Sequence, residues 1–472
     1  MIPGRREWLQ QAGLGLGALG LAQVWADAGD AQAPSTTVSS LPSPGTLRLR
    51  TPRLPARATR VIHFFLNGGP SQVDTFDPKP ALQKYAGKPL PQVLLTESKT
   101  GAAFPSPFKF QQYGQSGIPV SELFARTAQH VDEMAVIRSM YGQVPNHEPS
   151  LMLMNCGNSV LPRPSVGSWV LYGLGTENQN LPGFVAMCPM GYPLKAIENW
   201  QSAFLPGAFQ GTYIDPQRRE VDRLIENIRS PHATTHAQRH QLDLLMAMNR
   251  THQKQRPDER LDARIQSFEL AFRMQVEAAE AFDLARESQQ MLDLYGDTMH
   301  GRQTLIARRL VERGVRYVQL WHGPAHPWDS HTEIEKNHRQ LANELDQPLA
   351  ALITDLKQRG MLDDTLIIWG GEFGRTPTVE LTVDGKSQLG RDHNHYGFSV
   401  WMAGGGVRGG TIYGSTDDFG FKALENPTSV HDLHATILHL LGLNHEQLTF
   451  RYAGRDFRLT DVSGKVIREI IA

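Results

Sequence analysis

The chain has 472 residues, 40% hydrophobic and 20% charged, so it is long enough for one large or two ordinary domains with a buried core. A formal net charge of −1 argues against a basic surface for nucleic acid and against an acidic solvating tail. The two cysteines, Cys156 and Cys188, are too few for a disulfide framework, although they could form one bridge.

The N-terminus has the pattern of an export signal. Arg5 and Arg6 precede a glycine-rich apolar stretch at residues 12–22, which is roughly half the ~20 residues needed to span a bilayer. We predict a twin-arginine signal peptide at residues 1–28, read by the twin-arginine export machinery, and a linker at residues 29–57. The mature chain is expected to lack a transmembrane helix and to lie in the periplasm or otherwise outside the inner membrane. A retained amphipathic helix is the alternative, which the glycines disfavour.

After residue 59, short apolar runs alternate with longer helical patterns, and each run ends in glycine or polar residues. Near-continuous apolarity indicates strands that are covered on both faces, as in the parallel sheet of an α/β fold. The runs are RVIHFFLNGG (60–69), MAVIRSM (134–140), VRYVQLWHG (315–323), TLIIWGGEFG (365–374) and FSVWMAGGG (398–406). Ligands collect at the carboxyl ends of such strands, so the residues after these runs are expected to form the site.

A helical insertion is predicted at about residues 216–312, and a further helix at residues 429–444. Apolar residues recur at helical spacing in the insertion, and packing in the core is a more common role for them than binding a cofactor. These residues are Leu261, Ile265, Phe268, Phe272 and Val276.

Side chains that bind metals cluster in the loops at the ends of the runs. In an extended segment, residues two apart point the same way, so Asp329 with His331, and His393 with His395, can each face one point. A mixed carboxylate–imidazole set suits zinc or manganese better than calcium, which prefers oxygen alone. The other candidates are Asn67 at the end of the first run, and Glu372 and Arg375 at the end of the fourth.

Each of these features alone has an ordinary structural explanation. Asp-x-His pairs are common on surface loops, and His-x-His pairs are more often structural or solvated. Glu372 could cap a helix, and Arg375 could be its buried partner. The stronger indication is joint, because three strand ends that are distant in sequence each supply metal-binding side chains.

Several stretches resemble the DUF1501 family of exported bacterial proteins, which is placed in the alkaline-phosphatase-like and sulfatase-like superfamily. They are NGGPSQVDTFDPKP, PNHEPSLMLMNCG, RIQSFELAFRMQVEAAEAF, LIARRLVERGVRYVQL, WDSH, GGEFGRTP, DHNHYGFSVWMAGGGVRGG, VHDLHATILHLLGL and YAGRDFRLTDV. The resemblance implies an alkaline-phosphatase-like domain at residues 58–472, with a mostly parallel central sheet and helices on both faces. The family's own activity is not settled, so the resemblance bears on the fold more than on the function.

The resemblance also implies a metal site. The residues that match ligands of a first divalent ion are Asp329, His331 and His395. Glu372 matches a ligand of a second ion, but Phe373 stands where that pattern has histidine, and Asn67 stands where it has aspartate. These departures predict one complete metal site rather than two.

The nucleophile expected from the resemblance is missing. Gln143 stands where phosphodiesterase-like relatives have threonine or serine, and neither cysteine has the sequence context of a formylglycine sulfatase. Ser139 is nearby, but direct attack by water would need no side-chain nucleophile.

The resulting hypothesis is an exported metal-dependent hydrolase of phosphate or sulfate esters, in which a metal-activated water or hydroxide attacks the anionic substrate. Arg375 would hold two oxygens of the anion, and His147 or His393 would protonate the leaving group. The alternative is a non-catalytic metal-binding scaffold that binds an anionic glycan or a protein partner.

Overall fold

A computed structural model describes residues 47–219, 224, 234–255 and 259–472. The predicted signal peptide and most of the predicted linker lie outside these residues. Within the described part of the chain, no helix is both long enough and apolar enough to cross a bilayer. Cys156 and Cys188 are buried and unpaired, so they form no bridge.

One central sheet confirms the predicted α/β class, and each of the five apolar runs contributes a strand to it. In chain order its strands are β1 (Arg60–Phe65), β2 (Met134–Tyr141), β3 (Phe184–Met187), β4 (Thr212–Ile214), β5 (Tyr317–Trp321), β6 (Thr365–Gly370), β7 (Phe398–Ala403), β8 (Thr411–Tyr413) and β9 (Thr428–Ser429). Their order across the sheet is β8-β2-β7-β6-β1-β5-β3-β4, and β9 also pairs with β2.

The sheet is mostly parallel, and β7 is the exception because it runs antiparallel to both β2 and β6. The apolar sequence of β7 resembles that of its parallel neighbours, since such a pattern reports burial on both faces and not strand direction. The start of β7 therefore lies at the edge where the other strands end. This direction brings the loop before β7, with residues 392–395, to the carboxyl edge of the sheet.

The α-helices of the described residues are α1 (Gln72–Thr75), α2 (Pro80–Lys84), α3 (His147–Cys156), α4 (Val166–Leu174), α5 (Thr235–Gln255), α6 (Glu259–Phe282), α7 (Gln289–Tyr295), α8 (Met299–Glu312), α9 (Ile334–Gln358) and α10 (Val430–Leu440). Short antiparallel pairs join Thr100–Ala103 to Thr378–Glu380, Phe110–Tyr113 to Ile118–Ser121, Gly374–Arg375 to His393–Asn394, Ser415–Thr416 to Ala423–Glu425, and Phe450–Tyr452 to Arg455–Phe457.

Helices cover both faces of the sheet, as β1 illustrates. Ile62 and Phe64 belong to a core with residues of α8 and α9, whereas Val61 and Phe65 belong to a second core with residues of α4 and α10. Successive side chains of a strand point to opposite faces, so a strand that is apolar throughout must be covered twice.

The predicted packing of the helical insertion is only partly correct. Phe268 is 37% exposed, so it is an exception to the prediction that most of these apolar residues lie in the core. Burial in α6 begins further along, at Met274, Ala278 and Ala281. Helices α5 and α6 pack on each other, with the guanidinium of Arg239 over the ring of Phe272 at 5.0 Å. Helical spacing alone does not show which neighbour an apolar stripe faces.

Candidate metal centre

The loops at the carboxyl edge of the sheet bring four distant segments together. Asp329 and His331 follow β5, Glu372 follows β6, His147 begins α3 after β2, and His393 precedes β7. The short antiparallel pair places Arg375 opposite His393, so hydrogen bonds between backbones hold two of these loops in register.

Asp329 lies at the centre of this cluster, and its side chain is only 12% exposed. Its Oδ1 is 2.9 Å from Nε2 of His331 and 3.0 Å from Nε2 of His393. Its Oδ2 is 3.2 Å from Nε2 of His147. The two Nε2 atoms of His331 and His393 are 3.1 Å apart, so all three imidazoles contact this one carboxylate.

In each of these three imidazoles, the ring nitrogen farther from Asp329 is hydrogen-bonded to a separate carboxylate. The pairs, given as Nδ1 to carboxylate oxygen, are His147 with Glu372 (2.7 Å), His331 with Glu380 (2.5 Å) and His393 with Glu97 (2.7 Å). A carboxylate can only accept, so Nδ1 is the donor in each pair and carries the proton. In a neutral ring, Nε2 then offers its lone pair to the centre. Carboxylates orient metal-bound histidines in the same way.

The residues of the cluster fit a tetrahedral divalent cation. If Nε2 of His147, His331 and His393 carries only a lone pair, each faces an oxygen of Asp329 that also has only lone pairs to offer. A cation beside Asp329 would satisfy these lone pairs, and His147, Asp329 and His393 have ligand atoms that all lie within 4.8 Å of one another. The three Nε2 atoms lie 2.9–3.2 Å from the oxygens of Asp329. Two ligands of a tetrahedral ion with bonds of ~2.0–2.1 Å would lie about 3.3 Å apart, which is close to these distances. This donor set favours zinc over calcium.

Charges near the centre shift the pKa values of its members in opposite directions. Burial lowers the pKa of His147 and His331, but hydrogen bonds to Asp329 and to Glu372 or Glu380 outweigh it and raise both to about 9. For His393, burial prevails and lowers the pKa to about 3.

For Asp329 burial raises the pKa, but hydrogen bonds from the three histidines and the charge of Arg375 hold it well below its usual range. Asp329 is therefore a carboxylate throughout the physiological range. A cation bound to the three Nε2 atoms has to displace protons from His147 and His331.

Arg375 lies beneath Asp329 and is fully buried. Its Nη2 donates to Asp329 Oδ1 at 2.6 Å and to the carbonyl of Gly68, its Nε donates to the carbonyl of Gly69 at 3.0 Å, and its Nη1 donates to the carbonyl of Arg391 at 3.2 Å. These internal partners make Arg375 a positioning residue for Asp329 in this arrangement, rather than a group that faces a substrate.

Gly68 joins the first strand's loop to the centre in a way that only glycine permits. Its N–H donates to Glu372 Oε1 at 2.8 Å, and its φ is +112°. A Cβ on Gly68 would lie 2.5 Å from the backbone nitrogen of Asp329, so any side chain there would displace the loop that carries Asp329.

The other two predicted ligands lie outside this cluster. His395 packs its ring on Tyr396, with centroids 3.9 Å apart, and belongs to no group of three metal-binding side chains among the described residues. The extended segment ends at Asn394 and the chain bends at residues 395–397, so His393 and His395 do not point the same way.

Asn67 is buried and has a structural role. Its Nδ2 donates to the carbonyls of Gly323 and Ala325, at 2.9 and 2.7 Å. It thereby fixes the start of the loop that leads to Asp329. Glu372 likewise acts behind a ligand, because the oxygen that contacts His147 Nδ1 also accepts from Gly68.

Three residues of this region were not predicted from the sequence: Glu97, Glu380 and His326. Glu97 and Glu380 lie in segments with no metal-ligand spacing, and no local signal identifies them. His326 is three residues before Asp329, so its proximity could have been noticed. Its ring stacks on His147 at 4.8 Å and its Nε2 is 3.5 Å from Asp329 Oδ2, while its side chain is 39% exposed.

Fold and site together define an α/β protein with a histidine-rich centre at the carboxyl edge of a mostly parallel sheet. The chain belongs to the family described as "Protein of unknown function (DUF1501)", whose model matches residues 58–471. No curated protein matches the chain in sequence.

The solved structures similar to the chain include three of different kinds. The PsFucS1 sulfatase from Pseudoalteromonas sp. is 11% identical, with 83% of this chain and 69% of that chain covered and a TM-score of 0.33. The lipoteichoic acid synthase LtaP from Listeria monocytogenes is 10% identical, with 86% and 75% covered and a TM-score of 0.34. Alkaline phosphatase from the Antarctic bacterium TAB5 is 8% identical, with 84% and 100% covered and a TM-score of 0.33.

Replacing Glu380 by glutamine should weaken zinc binding by about 10- to 100-fold, the usual effect of removing a partner that orients a metal ligand. Glutamine keeps the shape, but it can offer its amide N–H₂ to His331 and so release the tautomer that aims Nε2 at the centre. Competition with a chromogenic zinc chelator measures the affinity. Glu335→Gln, on an exposed position of α9, is the matched control, and equal affinities for the two variants would contradict the assigned role of Glu380.

Proposed function

We propose that this protein is a metal-dependent hydrolase of phosphate or sulfate esters that works outside the inner membrane. The observation that carries the proposal is the convergence of three carboxylate-oriented imidazoles on Asp329. Zinc or manganese suits this donor set. The predicted signal peptide at residues 1–28 supports export.

A divalent ion in such a centre would supply a polarising charge for the ester oxygen and lower the pKa of a water molecule. The chain's own residues arrange the approach of the substrate. His326 and His331 are partly exposed, at 39% and 30%, and Glu97 is 37% exposed, so the centre opens to solvent on their side. A substrate would enter between these side chains.

His326 is the residue best placed to move a proton to the leaving group. Burial and the nearby charge of His147 lower its pKa below the usual value, and its Nε2 lies 3.5 Å from Asp329 Oδ2 on the exposed side of the centre. His147 and His393 are assigned to hold the metal in this proposal, which replaces the acid–base role expected from the sequence.

Direct attack by water is the route that the arrangement favours. Among the described residues, no serine or threonine hydroxyl is hydrogen-bonded to Asp329 or to the three imidazoles around it. Gln143 accepts a hydrogen bond from Ser159 on the exposed surface, and Ser139 is buried against Asn426 and Thr428.

A non-catalytic metal-binding scaffold is the second candidate, and two observations favour it. Arg375 is fully buried, so it offers no donor to an anionic ester. Asp329, Glu97, Glu372 and Glu380 face the positive charges of Arg375 and of the protonated His147 and His331. Before a metal binds, these opposite charges nearly balance, so the centre has little net charge to attract an anionic ester.

The test is to purify the mature protein, determine its metal content by elemental analysis, remove the metal with a chelator, and restore zinc, manganese or calcium. Turnover of a nitrophenyl phosphate monoester, a diester and a sulfate ester is then measured. Hydrolysis of at least one ester that depends on zinc or manganese supports the hydrolase. Tight metal binding without turnover supports the scaffold, and a protein that binds no divalent metal overturns both.

A further inference from the structure

A second group of metal-binding side chains includes His322, which lies seven residues before Asp329 in the chain. His300 comes from α8, His322 follows β5 directly, and Glu344 comes from α9. Glu344 Oε2 is 3.1 Å from Nε2 of His322 and 3.7 Å from Nε2 of His300. The side chains of His300 and His322 are only 7% and 3% exposed, whereas that of Glu344 is 40% exposed.

Gln303 determines which ring nitrogen of His300 carries the proton. The Nε2 of Gln303 donates to the carbonyls of Met187 and Trp321, at 2.9 and 3.1 Å. Because both partners are acceptors, the amide cannot be reversed, and its Oε1 must face His300 Nδ1, which is 3.1 Å away. His300 therefore carries its proton on Nδ1.

This tautomer leaves a buried acceptor pointing at another acceptor. In a neutral His300, Nε2 has a lone pair aimed at the carboxylate of Glu344, and their separation of 3.7 Å is too long for a hydrogen bond. The two groups lie within ion-pair distance, and this contact with the buried His300 lowers the pKa of Glu344. Two acceptors at this separation are favourable only when a proton or another cation lies between them.

His322 completes the set. Burial, followed by the neighbouring His300, lowers the pKa of His322 to about 4, so its ring is neutral near pH 7. Its Nε2 faces the same oxygen of Glu344, and its ring lies 4.3 Å from that of His300. Gln340 Nε2 donates to the other oxygen of Glu344 at 3.2 Å, which holds the carboxylate in place.

We propose that His300, His322 and Glu344 form a second, structural zinc site, separate from the centre at Asp329. The separations of 3.1 and 3.7 Å bracket the ~3.3 Å expected between ligands of a tetrahedral ion, and two nitrogens with one carboxylate oxygen are a preferred zinc set. Water would fill the fourth position on the exposed side of Glu344. This proposal does not depend on the proposed function.

The expected role of this zinc is to stabilise the loop after β5. His322 lies seven residues before Asp329, and Trp328 packs edge-on against its ring at 5.5 Å. A zinc ion shared by α8, this loop and α9 would add to the links that already join them, which include Gln303 Nε2 to the Trp321 carbonyl and Arg308 to Asp355. Occupancy should therefore raise the thermal stability of the loop that carries Asp329.

The test measures zinc stoichiometry and thermal stability of the full mature chain after chelation and titration with zinc. Glu344→Gln should lower the bound zinc by one equivalent per chain, or weaken that equivalent at least tenfold, and remove its contribution to the melting temperature. Glu344→His, which restores a ligand at an accessible position, should recover binding. The exposed Glu335→Gln is the control.

Asp329→Ala separates the two sites, because it removes a ligand of the first centre only. One zinc equivalent should remain in Asp329→Ala, and that equivalent should disappear in the double variant Asp329→Ala with Glu344→Gln. The buried variant His300→Ala could fail to fold, so the assignment depends on the partly exposed Glu344. Unchanged stoichiometry, affinity and melting temperature in Glu344→Gln would overturn the proposal, even if the first centre binds zinc as expected.

Discussion

His393→Ala should release the metal from the centre at Asp329, whereas His395→Ala should leave metal binding unchanged. The structure aims Nε2 of His393 at Asp329 Oδ1, at 3.0 Å, but packs His395 on Tyr396. Loss of a ligand should weaken zinc binding by more than about 100-fold, because loss of an orienting partner alone costs about 10- to 100-fold. Zinc titration against a competing chelator measures this directly, without any need for a substrate.

These two variants form a matched pair, since both remove an imidazole from the same loop. Any ester hydrolysis found in the wild-type protein should be lost with His393→Ala and retained with His395→Ala. The resemblance to DUF1501 implies the opposite result for His395. If zinc affinity falls in His395→Ala and not in His393→Ala, the assignment of His147, His331, His393 and Asp329 as the metal set is incorrect.

Asp74→Ala should be the most destabilising of the single substitutions considered. Asp74 and Arg391 form an ion pair that is completely buried, with Nε to Oδ2 at 2.8 Å and Nη2 to Oδ1 at 3.2 Å. Removing one partner leaves a buried charge uncompensated, which typically costs about 3–5 kcal/mol of unfolding free energy. Urea unfolding followed by circular dichroism gives this value for the mature chain.

The loss of Asp74 should also affect the metal centre. The carbonyl of Arg391 accepts from Arg375, and Arg391 is two residues before His393. The matched control is Asp384→Ala, which breaks a fully solvated pair with Lys386 on a neighbouring surface loop and should leave the unfolding free energy unchanged. A similar small effect for both variants would show that the buried pair contributes little.

The ion pair also gives a pH dependence whose sign follows from the pKa of Asp74. Burial raises this pKa, but the charge and hydrogen bonds of Arg391 outweigh burial and lower it. A carboxyl group with a depressed pKa in the folded state stabilises the protein above its unfolded value of about 3.9. That stabilisation is lost as the pH falls through the folded value. Unfolding free energies of the wild type and Asp74→Ala should therefore converge in strong acid.

The amino-acid sequence by itself determined the class of fold and the edge at which a site forms. Apolar runs that end in glycine predict buried strands whose ends collect functional groups, and Asp329, His331, Glu372 and His393 do meet at that edge. These inferences succeed because strand periodicity and burial depend on short stretches of chain. The export signal at residues 1–28 remains a prediction from sequence.

Only the tertiary structure decided which side chains face the centre. The choice of His393 over His395 depends on a bend at residues 395–397, and the burial of Arg375 depends on carbonyls of Gly68, Gly69 and Arg391. Glu97 and Glu380 reach their histidines only because Thr100–Ala103 pairs with Thr378–Glu380 beside the site. The physical reason is that the spacing of residues along a strand sets the direction of their side chains only while the backbone stays extended. Contacts between residues that are distant in sequence depend instead on how the whole sheet and its loops pack.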